Sequence, residues 1–284
     1  MSNISPIDGR YKKNVSELET FFSEQALMRH RVMVEVEYLL ALIEHKSFQK
    51  TRALSKKTLG SLKGLYVEFS ATHFKQIKKI EKKTNHDVNA VVVFVSEKLK
   101  KLGRGDLVPF VHLGLTSEDI NNISYSLMTQ GAVEDVMIPS VKRVLKELKA
   151  LSKKTKSLSL LSLTHGQPAT TTTLGKELAV FVSRVEREIA LIKKMKLLAK
   201  LSGATGSYAA HKVAFPDFNW PLFSKRFIKK LGLEQSPIST QIEPGDSLAE
   251  LLHSFVRINN IFSDFSLDMW LYISRNIFVQ KNIV

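Results

Sequence analysis

The stretch that decides the fold is DSLAELLHSFVRINNIFSDFSLDMWLYISRNIF, residues 246–278. Its apolar side chains recur at alternating steps of three and four residues, the heptad pattern of a helix that packs along one face. At 1.5 Å per residue, a single helix here is about 50 Å long, beyond the usual range for globular proteins. The sequence therefore predicts a bundle of long helices, with copies of the chain covering the surplus apolar surface. The heptad positions are Leu248, Leu251, Phe255, Ile258, Phe262, Phe265, Met269 and Tyr272.

The helical period continues through the rest of the chain. Apolar residues step by three or four over residues 133–156 and 170–200, which predicts two more long helices. Residues 87–102 contain VVVFV, which would suit a strand, but their apolar positions also fit helical spacing, so a helix is predicted. The fold class predicted is all-α. Further helices are predicted at residues 15–45, 54–81, 118–130 and 220–231, with breaks at 103–116, 157–169, 202–219 and 233–245.

The composition excludes several classes of protein. The chain has 284 residues, of which 44% are hydrophobic, so a folded core rather than wholesale disorder is expected. It contains 0 cysteines, which rules out disulfide bonds, thiolate zinc sites and a cysteine nucleophile. The longest apolar run, AVVVFV at residues 90–95, is far shorter than the roughly 20 residues of a membrane-spanning helix. The N-terminus lacks a secretory pattern, so we expect a cytoplasmic protein without a membrane partner.

The charge is strongly positive, since 42 lysines and arginines stand against 27 acidic residues and give a net charge of +15. The lysines are scattered along helical stretches between apolar positions, where solvated helix faces are expected. No zinc-finger spacing or aromatic-interleaved basic motif accompanies them, so nucleic-acid binding is the weakest of three hypotheses. A positive field also favours a small polyanionic substrate.

The polar residues other than lysine collect in the breaks between predicted helices. Taken singly, each has a structural explanation, such as a helix cap at Thr116 or a place in a turn. Together they include His86, His112 and His165, which are suited to proton transfer near neutral pH. Nearby helix N-termini offer N–H groups to phosphate or carboxylate, and Arg10 adds a bidentate donor. A metal site built from these histidines is a weaker alternative, because no HxH, HxxxH or HExxH spacing occurs.

Six short motifs give this sequence a resemblance to the adenylosuccinate lyases, a family within the fumarase/aspartase superfamily. They follow one another in the family's order along nearly the whole chain. SPIDGRY, TNHDV and QIEP are the most specific, whereas TSED and THGQPA are shared more loosely with sister lyases. The motifs are SPIDGRY at residues 5–11, TNHDV at 84–88, HLGLTSEDINN at 112–122, THGQPAT at 164–170, SGATGSY at 202–208 and STQIEP at 239–244.

The resemblance implies a C–N lyase of purine nucleotide biosynthesis. Such an enzyme eliminates fumarate from adenylosuccinate, which leaves AMP, and from the succinyl-carboxamide ribotide intermediate. By resemblance, His165 is the general acid, Arg10 and Tyr11 hold the nucleotide phosphate, and His112 supports the site. The resemblance implies neither a metal nor an organic cofactor. The other substrate-binding residues that it implies are Asn85, His86, Asp87, Thr116, Ser117 and Gln241.

The resemblance also implies a domain organisation and a partner. It places an N-terminal helical domain at residues 1–111 and a central helical-bundle domain at 112–284, with a homotetramer whose active sites combine three subunits. The family's base is a serine in a loop of the form SSxMPxKxNP. The sequence stops at Val284, before such a loop and before the family's C-terminal domain, after roughly three-fifths of a typical member. We therefore expect the chain alone to be inactive and prone to aggregate.

The alternative hypothesis is a non-catalytic chain. Its predicted phosphate-binding residues would then serve to bind a nucleotide, or the chain would complement another subunit that carries the serine loop.

Overall fold

The computed structural model describes residues 4–47, 54–279 and 281. Packing divides the chain into two compact units. The first unit comprises Met1–Val136 with Lys196–Gly245, and the second comprises Met137–Met195 with Asp246–Val284. The domain boundary expected between residues 111 and 112 lies within the first unit. These packing units do not test the expected domains, which stay a prediction.

Helices dominate both units, which confirms the all-α fold class, and two small two-stranded ladders accompany them. None of the helices in the described ranges combines the length and hydrophobicity that crossing a membrane requires. A π-helical turn at Val133–Met137 follows α6 directly. In chain order the elements are α1 (Glu19–Phe22), α2 (Glu24–Glu44), α3 (Lys56–Val67), α4 (Ala71–Thr84), α5 (Asp87–Lys101), α6 (Ser117–Ala132), α7 (Ile138–Lys154), β1 (Ser159–Thr164), β2 (Gln167–Thr173), α8 (Leu174–Ile192), β3 (Leu198–Ala199), α9 (Ala209–Ala214), α10 (Trp220–Lys230), β4 (Glu234–Gln235) and α11 (Asp246–Ser274).

Helix α2 forms the centre of the first unit. Its sequence RVMVEVEYLLALI, residues 31–43, is apolar on every side of the helix, which is typical of a helix that is buried all round. Helices α3, α5 and α6 pack around it, and Val32 and Leu39 have no exposed surface. The VVVFV run lies in α5, so the helix predicted for residues 87–102 is confirmed.

The second unit is a layer of helices with α8 in the middle, since both α7 and α11 pack against it. Gly175 lets α7 and α8 approach closely, because a Cβ at this position would lie 2.4 Å from the Ser152 carbonyl oxygen. Arg184 on α8 pairs with Asp264 on α11 at 2.8 Å. The apolar core consists of Leu145, Leu148, Phe181, Val182, Val185, Ile189 and Ile261, with Val141, Phe262 and Phe265 packed against it.

The heptad stretch forms one helix, as predicted, although α11 ends at Ser274 rather than at residue 278. Its 29 residues span about 44 Å at the usual helical rise. Every predicted heptad position is at least partly buried, and Leu251 and Ile258 are only 3% and 2% exposed. Other positions of α11 expose large apolar side chains, namely Leu252, Val256, Leu267, Trp270 and Ile273.

The helix break predicted at residues 157–169 is present, and β1 and β2 form an antiparallel hairpin there, which the sequence did not predict. Residues 170–173, predicted as the start of a helix, belong to β2. All are threonines, whose branched Cβ atoms favour extended backbone. Helix α8 begins only at Leu174, where Thr173 Oγ1 accepts the Lys176 N–H at 3.2 Å.

Polar caps and turns change other predicted boundaries. The stretch 15–45 is divided at Ser23, whose Oγ accepts the Ala26 N–H at 3.1 Å and so starts α2. The stretch 54–81 is divided into α3 and α4, and Ser70 is the N-cap of α4. The helix predicted to reach residue 200 ends at Ile192. The predicted break at 202–219 contains the short helix α9.

Candidate functional site

One face of α2 organises the predicted site within the first unit. Arg31, Glu35 and Tyr38 follow one another at steps of four and three residues, so their side chains project from the same side of the helix. All three are buried, and their polar ends reach the segments that lead into α5 and α6. We call these three residues the α2 stripe.

Arg31 ties the starts of α5 and α6 together. Its Nη2 lies 2.7 Å from Asp87 Oδ2, and its Nε donates to Asn121 Oδ1 at 2.9 Å. The Arg31 side chain is only 3% exposed, so Asp87 compensates a charge that water hardly reaches. Burial raises the pKa of Asp87, but the charge of Arg31 and hydrogen bonds from Arg31 and the Val88 N–H outweigh burial and lower the pKa overall. Asp87 is therefore an ionised and oriented carboxylate.

His86 and Ser117 meet where α5 and α6 begin. His86 is the N-cap of α5, and its Nδ1 accepts the Asn89 N–H at 3.2 Å. A neutral imidazole that accepts at Nδ1 carries its proton on Nε2, which lies 3.5 Å from Ser117 Oγ. The first turns of both helices have N–H groups without helical acceptors and a positive dipole end. These groups together are suited to a phosphate or a carboxylate.

The turn before α6 is held by the other two residues of the α2 stripe. His112 Nδ1 lies 2.5 Å from Glu35 Oε1, and Tyr38 Oη donates to the Leu113 carbonyl at 2.8 Å. His112 has a φ of 59°, a left-handed conformation that is uncommon outside glycine. Burial lowers the pKa of His112, but the hydrogen bond and charge of Glu35, with the charge of Asp119, raise the pKa above its ordinary value overall.

Asp119 joins the start of α6 to the SGATGSY segment. Its carboxylate accepts the N–H groups of Thr116, Ser202 and Gly203 at 2.9–3.1 Å. Lys200 Nζ lies 2.9 Å from the same carboxylate, and both charged side chains are 0% exposed. Because buried charges are tolerated only when they are paired and hydrogen-bonded, this network fixes Thr116 against the SGATGSY segment.

The SGATGSY segment in turn positions the predicted substrate residue Gln241. Ser202 Oγ lies 3.0 Å from Ser239 Oγ. Gly206 has a φ of +74°, and a Cβ on it would lie 2.1 Å from the Ser239 carbonyl oxygen, so the close approach requires glycine. Gln241 follows two residues after Ser239 and is exposed. A chain of contacts thus runs from the start of α6 to the segment that carries Gln241.

His211 lies beneath the turn before α6, and the sequence did not single it out. Its ring is 0% exposed, and neither ring nitrogen has a hydrogen-bond partner among the described residues. The ring centre lies 4.6 Å from that of Trp220, and a Cβ on Gly114 would lie 2.6 Å from the His211 ring. Burial lowers the pKa of His211 to about 4, with Asp119 opposing the shift and Lys200 adding to it. His211 is therefore a neutral packing residue near pH 7.

An open cavity of about 560 Å³ lies beside His86 and gives a ligand access to the start of α5. Lys78 in its wall is engaged by two carboxylates, since its Nζ lies 2.7 Å from Glu24 and 2.8 Å from Glu81. Asn85 ends α4 in the left-handed conformation, with a φ of 50°, and so turns the chain toward His86. The cavity is lined by Lys78, Glu81, Lys82, Asn85, His86 and Asp87.

The remaining predicted residues lie in exposed turns. Arg10 and Tyr11 lie near the start of the chain, and the guanidinium carbon of Arg10 lies 5.5 Å from the centre of the Tyr11 ring. His165 belongs to the second unit, at the turn of the β1–β2 hairpin, with a φ of 52°. In the described ranges, no group of three or more histidine, aspartate or glutamate side chains is arranged to hold a metal ion.

The sequence did not predict the residues that hold the site in place. For Arg31 and Glu35 a signal was available, because both interrupt the apolar run of α2, and a charged residue in a fully buried helix must find a partner. For Asp119 and Lys200 the signal was weak. An acid in the first turn of a helix and a lysine in a loop are both ordinary surface features.

A family model and curated proteins both match this chain along nearly its whole length. A family model described as Lyase matches residues 9–283. Adenylosuccinate lyase from Escherichia coli (strain K12) is 41% identical over 284 residues, which cover 100% of this chain and 62% of that protein. Adenylosuccinate lyase from Dictyostelium discoideum is 43% identical over 288 residues, which cover 99% of this chain and 62% of that protein. The chain thus spans 62% of the length of these curated relatives.

Solved structures share the fold. Fumarate lyase from Mesorhizobium sp. BNC1 matches 91% of this chain and 57% of its own, with a TM-score of 0.72 and 18% sequence identity. The beta-carboxy-cis,cis-muconate cycloisomerase from Acinetobacter calcoaceticus sp. ADP1 matches with a TM-score of 0.68 and 19% identity. At such identities the likeness concerns the fold alone, and it agrees with the helical architecture.

Proposed function

The chain belongs to the lyase family, whose model matches residues 9–283, and from this membership we propose that it takes part in the adenylosuccinate lyase reaction. That reaction removes fumarate from adenylosuccinate, leaving AMP, and from the succinyl-carboxamide ribotide of purine biosynthesis, leaving the carboxamide. The relatives at 41% and 43% identity carry the name of this enzyme, which supports a purine nucleotide as the substrate.

The proposed reaction breaks a carbon–nitrogen bond without adding water. A base removes the proton from the carbon beta to the nitrogen, the freed electron pair forms the double bond of fumarate, and the C–N bond breaks as an acid protonates the departing nitrogen. The abstracted proton lies next to a carboxylate, so negative charge develops there and must be stabilised electrostatically. We propose His165 as the acid and assign the base to no residue of this chain.

The observation that carries the proposal is the meeting of His86 and Ser117 at the starts of α5 and α6. Two hydrogen-bonding side chains and two positive helix ends suit the phosphate or carboxylate groups of a nucleotide joined to succinate. The cavity of about 560 Å³ beside His86 has the volume of a small-molecule pocket. Asp87 and Gln241 add polar groups, and we propose that Arg10 and Tyr11 hold the phosphate.

We also propose that several copies of the chain assemble. Helix α11 exposes Leu252, Val256, Leu267, Trp270 and Ile273, and apolar side chains at this density on one helix favour burial against another molecule. The resemblance implies a homotetramer, and a helical interface along α11 is consistent with it.

A chain without activity of its own is the second candidate. The residues that cluster in the first unit are groups that bind and orient a ligand, whereas the proposed acid His165 belongs to the second unit. Such a chain would bind AMP, or would supply His165 to another subunit.

Calorimetric titration with AMP tests the binding that the lyase and the nucleotide-binding role require. We expect binding by the natural chain and at least about tenfold weaker binding by Arg10→Ala, because a guanidinium gives charge-assisted hydrogen bonds to phosphate. Lys13→Ala, which removes a nearby cation, is the matched control and should bind normally. Failure of the natural chain to bind AMP would contradict the lyase and the nucleotide-binding role, and would leave only complementation by His165.

Fumarate release from adenylosuccinate separates the two candidates. The chain is assayed alone and after mixing with E. coli adenylosuccinate lyase whose counterpart of His165 has been replaced. Activity of the chain alone supports the first candidate, a lyase, whereas activity only in the mixture supports complementation by His165. His165→Gln should abolish either activity while leaving AMP binding intact.

A further inference from the structure

The pair formed by Glu35 and His112 goes beyond the functions assigned so far. We propose that Glu35 is a positioning residue, whose buried carboxylate fixes the His112 ring through Nδ1–H, keeps it protonated and leaves Nε2–H to bind an oxyanion of the substrate. The oxyanion assignment rests on the proposed function, whereas the protonated pair does not.

The geometry leaves Glu35 a single cationic partner. Its side chain is 0% exposed, and its Oε1 lies 2.5 Å from His112 Nδ1. The second carboxylate oxygen, Oε2, is buried and has no hydrogen-bond partner among the described residues. Within the described ranges, no lysine, arginine or other histidine forms an ion pair with Glu35.

A carboxylate in this position requires a positive charge. Burying an isolated carboxylate is strongly unfavourable, and a charged pair with a short hydrogen bond is the usual compensation. A protonated His112 supplies that charge, and a neutral one does not. The groups that face the ring add to the effect, since Glu35 on α2 and Asp119 on α6 are both acidic and raise the pKa of His112 against the opposing effect of burial. Tyr38, which holds the next carbonyl, donates a hydrogen bond and stays neutral because burial, Asp119 and Glu35 raise its pKa well above the ordinary value.

The backbone fixes the direction of the ring. His112 sits at a φ of 59° and the following carbonyl, that of Leu113, is held by Tyr38. The His112 side chain remains 21% exposed although its Nδ1 contacts the fully buried Glu35. Nε2 is therefore the ring nitrogen left for a ligand, four residues before the N-cap of α6, where an anion is already favoured.

Histidine titration by nuclear magnetic resonance tests the pair in the full-length chain. The ring signals of His112 are assigned by their absence in His112→Gln. In the natural chain we expect a midpoint above that of an exposed histidine and a proton on Nδ1. Glu35→Gln should move the midpoint to lower pH, and Glu35→Asp, which keeps the charge, should restore most of the shift.

Glu37→Gln is the matched control. Glu37 lies on the same helix and is also buried, but it contacts Tyr66 at 2.7 Å and Lys230 at 3.3 Å rather than His112. The His112 midpoint should not move in this variant. An unchanged midpoint in Glu35→Gln, or an equal shift in Glu37→Gln, would overturn the proposal.

A stability measurement covers the case in which Glu35→Gln does not fold. A histidine whose pKa is raised on folding stabilises the native state fully below its unfolded value and loses that effect as the pH rises through the folded value. In urea titrations, the natural chain should therefore lose stability as the pH rises from the unfolded pKa of His112 through its higher folded pKa. His112→Gln should not show this loss. Parallel curves for the two proteins would contradict a protonated His112.

Binding of inorganic phosphate, and then of AMP, tests the oxyanion step separately. We expect Glu35→Gln to bind either ligand about tenfold more weakly at pH 8 and almost normally at pH 5.5, where the histidine is protonated without help. If Glu35→Gln lowers the His112 midpoint but binds both ligands normally at both pH values, the ion pair is retained and its role toward substrate is refuted. Failure of the natural chain to bind AMP would count against the proposed function instead.

Discussion

Lys200 Nζ lies 2.9 Å from Asp119 Oδ1, and neither side chain has any surface exposed to solvent. The same carboxylate accepts the N–H groups that begin the SGATGSY segment. Asp119 thus neutralises the buried Lys200 and accepts backbone N–H groups both from the N-cap of α6 and from the start of the SGATGSY segment.

Asp119→Asn should be among the most destabilising single changes in the chain. It leaves Lys200 buried without a counter-ion, and removal of one partner from such a pair costs about 3–5 kcal/mol. The free energy of unfolding in urea measures the effect. Glu19→Gln breaks the exposed pair of Lys12 and Glu19 and should change it by less than about 1 kcal/mol. Equal losses in the two variants would contradict the buried network.

Gly206→Ala should destabilise the first unit and displace the segment with Gln241. The new Cβ would lie 2.1 Å from the Ser239 carbonyl oxygen, and the φ of +74° disfavours alanine. Gly60→Ala is the matched change in α3, where nothing lies within 4 Å, and it should stabilise the helix by up to about 1 kcal/mol. Thermal unfolding of both variants measures the contrast, and a neutral Gly206→Ala would show that Ser239 is not held there.

Stability should fall in mild acid because of His211. Its pKa lies at about 4 in the folded state against an ordinary value of 6.5, so the unfolded chain binds the proton more tightly. The contribution of neutral His211 to stability is complete above pH 6.5 and is lost as the pH falls toward about 4. The loss of unfolding free energy over this range is about 3 kcal/mol.

Urea titrations at pH 7 and pH 5 of the natural chain and of His211→Leu measure that acid slope. His211→Leu should have a shallower slope whatever its absolute stability. His253→Leu removes an exposed histidine and should keep the slope of the natural chain. An unchanged slope in His211→Leu would refute the assignment.

Arg31→Met should raise the pKa of Asp87, because it removes the guanidinium that favours the ionised carboxylate. Arg31→Lys keeps a charge but lacks the fork that reaches both Asp87 and Asn121, so it should lose about 1–2 kcal/mol of stability and keep Asp87 acidic. Carboxyl titration by nuclear magnetic resonance distinguishes the two variants. Arg29→Met, on the same helix, should leave Asp87 unaffected.

Trp270→Glu should weaken self-association. Trp270 belongs to the apolar side chains that α11 exposes, and a carboxylate at a buried interface position is strongly unfavourable. Light scattering across a dilution series measures the change. Ser266→Glu places the same charge at an exposed polar position of α11 and is the control. Identical masses for Trp270→Glu and the natural chain would exclude this face from the interface.

Much of the fold could be predicted because helical spacing is a local signal. The heptad stretch of α11 and the VVVFV helix α5 both followed from it. The hairpin at residues 159–173 could not, because it depends on pairing between two threonine- and leucine-rich segments rather than on a periodic face. The cap at Ser23 was equally hidden within an apparently continuous pattern.

The site was predictable where a short motif carries its residues and not where packing supports them. His86 and Ser117 stand in motifs, and the structure places them together. Glu35 and Lys200 contact His112 and Asp119 across 77 and 81 residues of sequence, so no local pattern identifies these partners. The charge of Glu35 within the apolar run of α2 indicates only that it needs a partner. Whether the predicted ligand contacts form stays a prediction.

The α2 stripe has a consequence for how this protein tolerates change. Each residue added to a helix rotates everything beyond it by about 100°. One insertion between Glu24 and Arg31 would therefore turn Arg31, Glu35 and Tyr38 away from Asp87, His112 and Leu113 at the same moment. Single replacements along α2 can be compensated one at a time. An insertion cannot, because it moves all three side chains away from their partners together. The number of residues in α2 is thus more strictly constrained than their identity. Selection should therefore remove insertions and deletions in α2 more readily than substitutions.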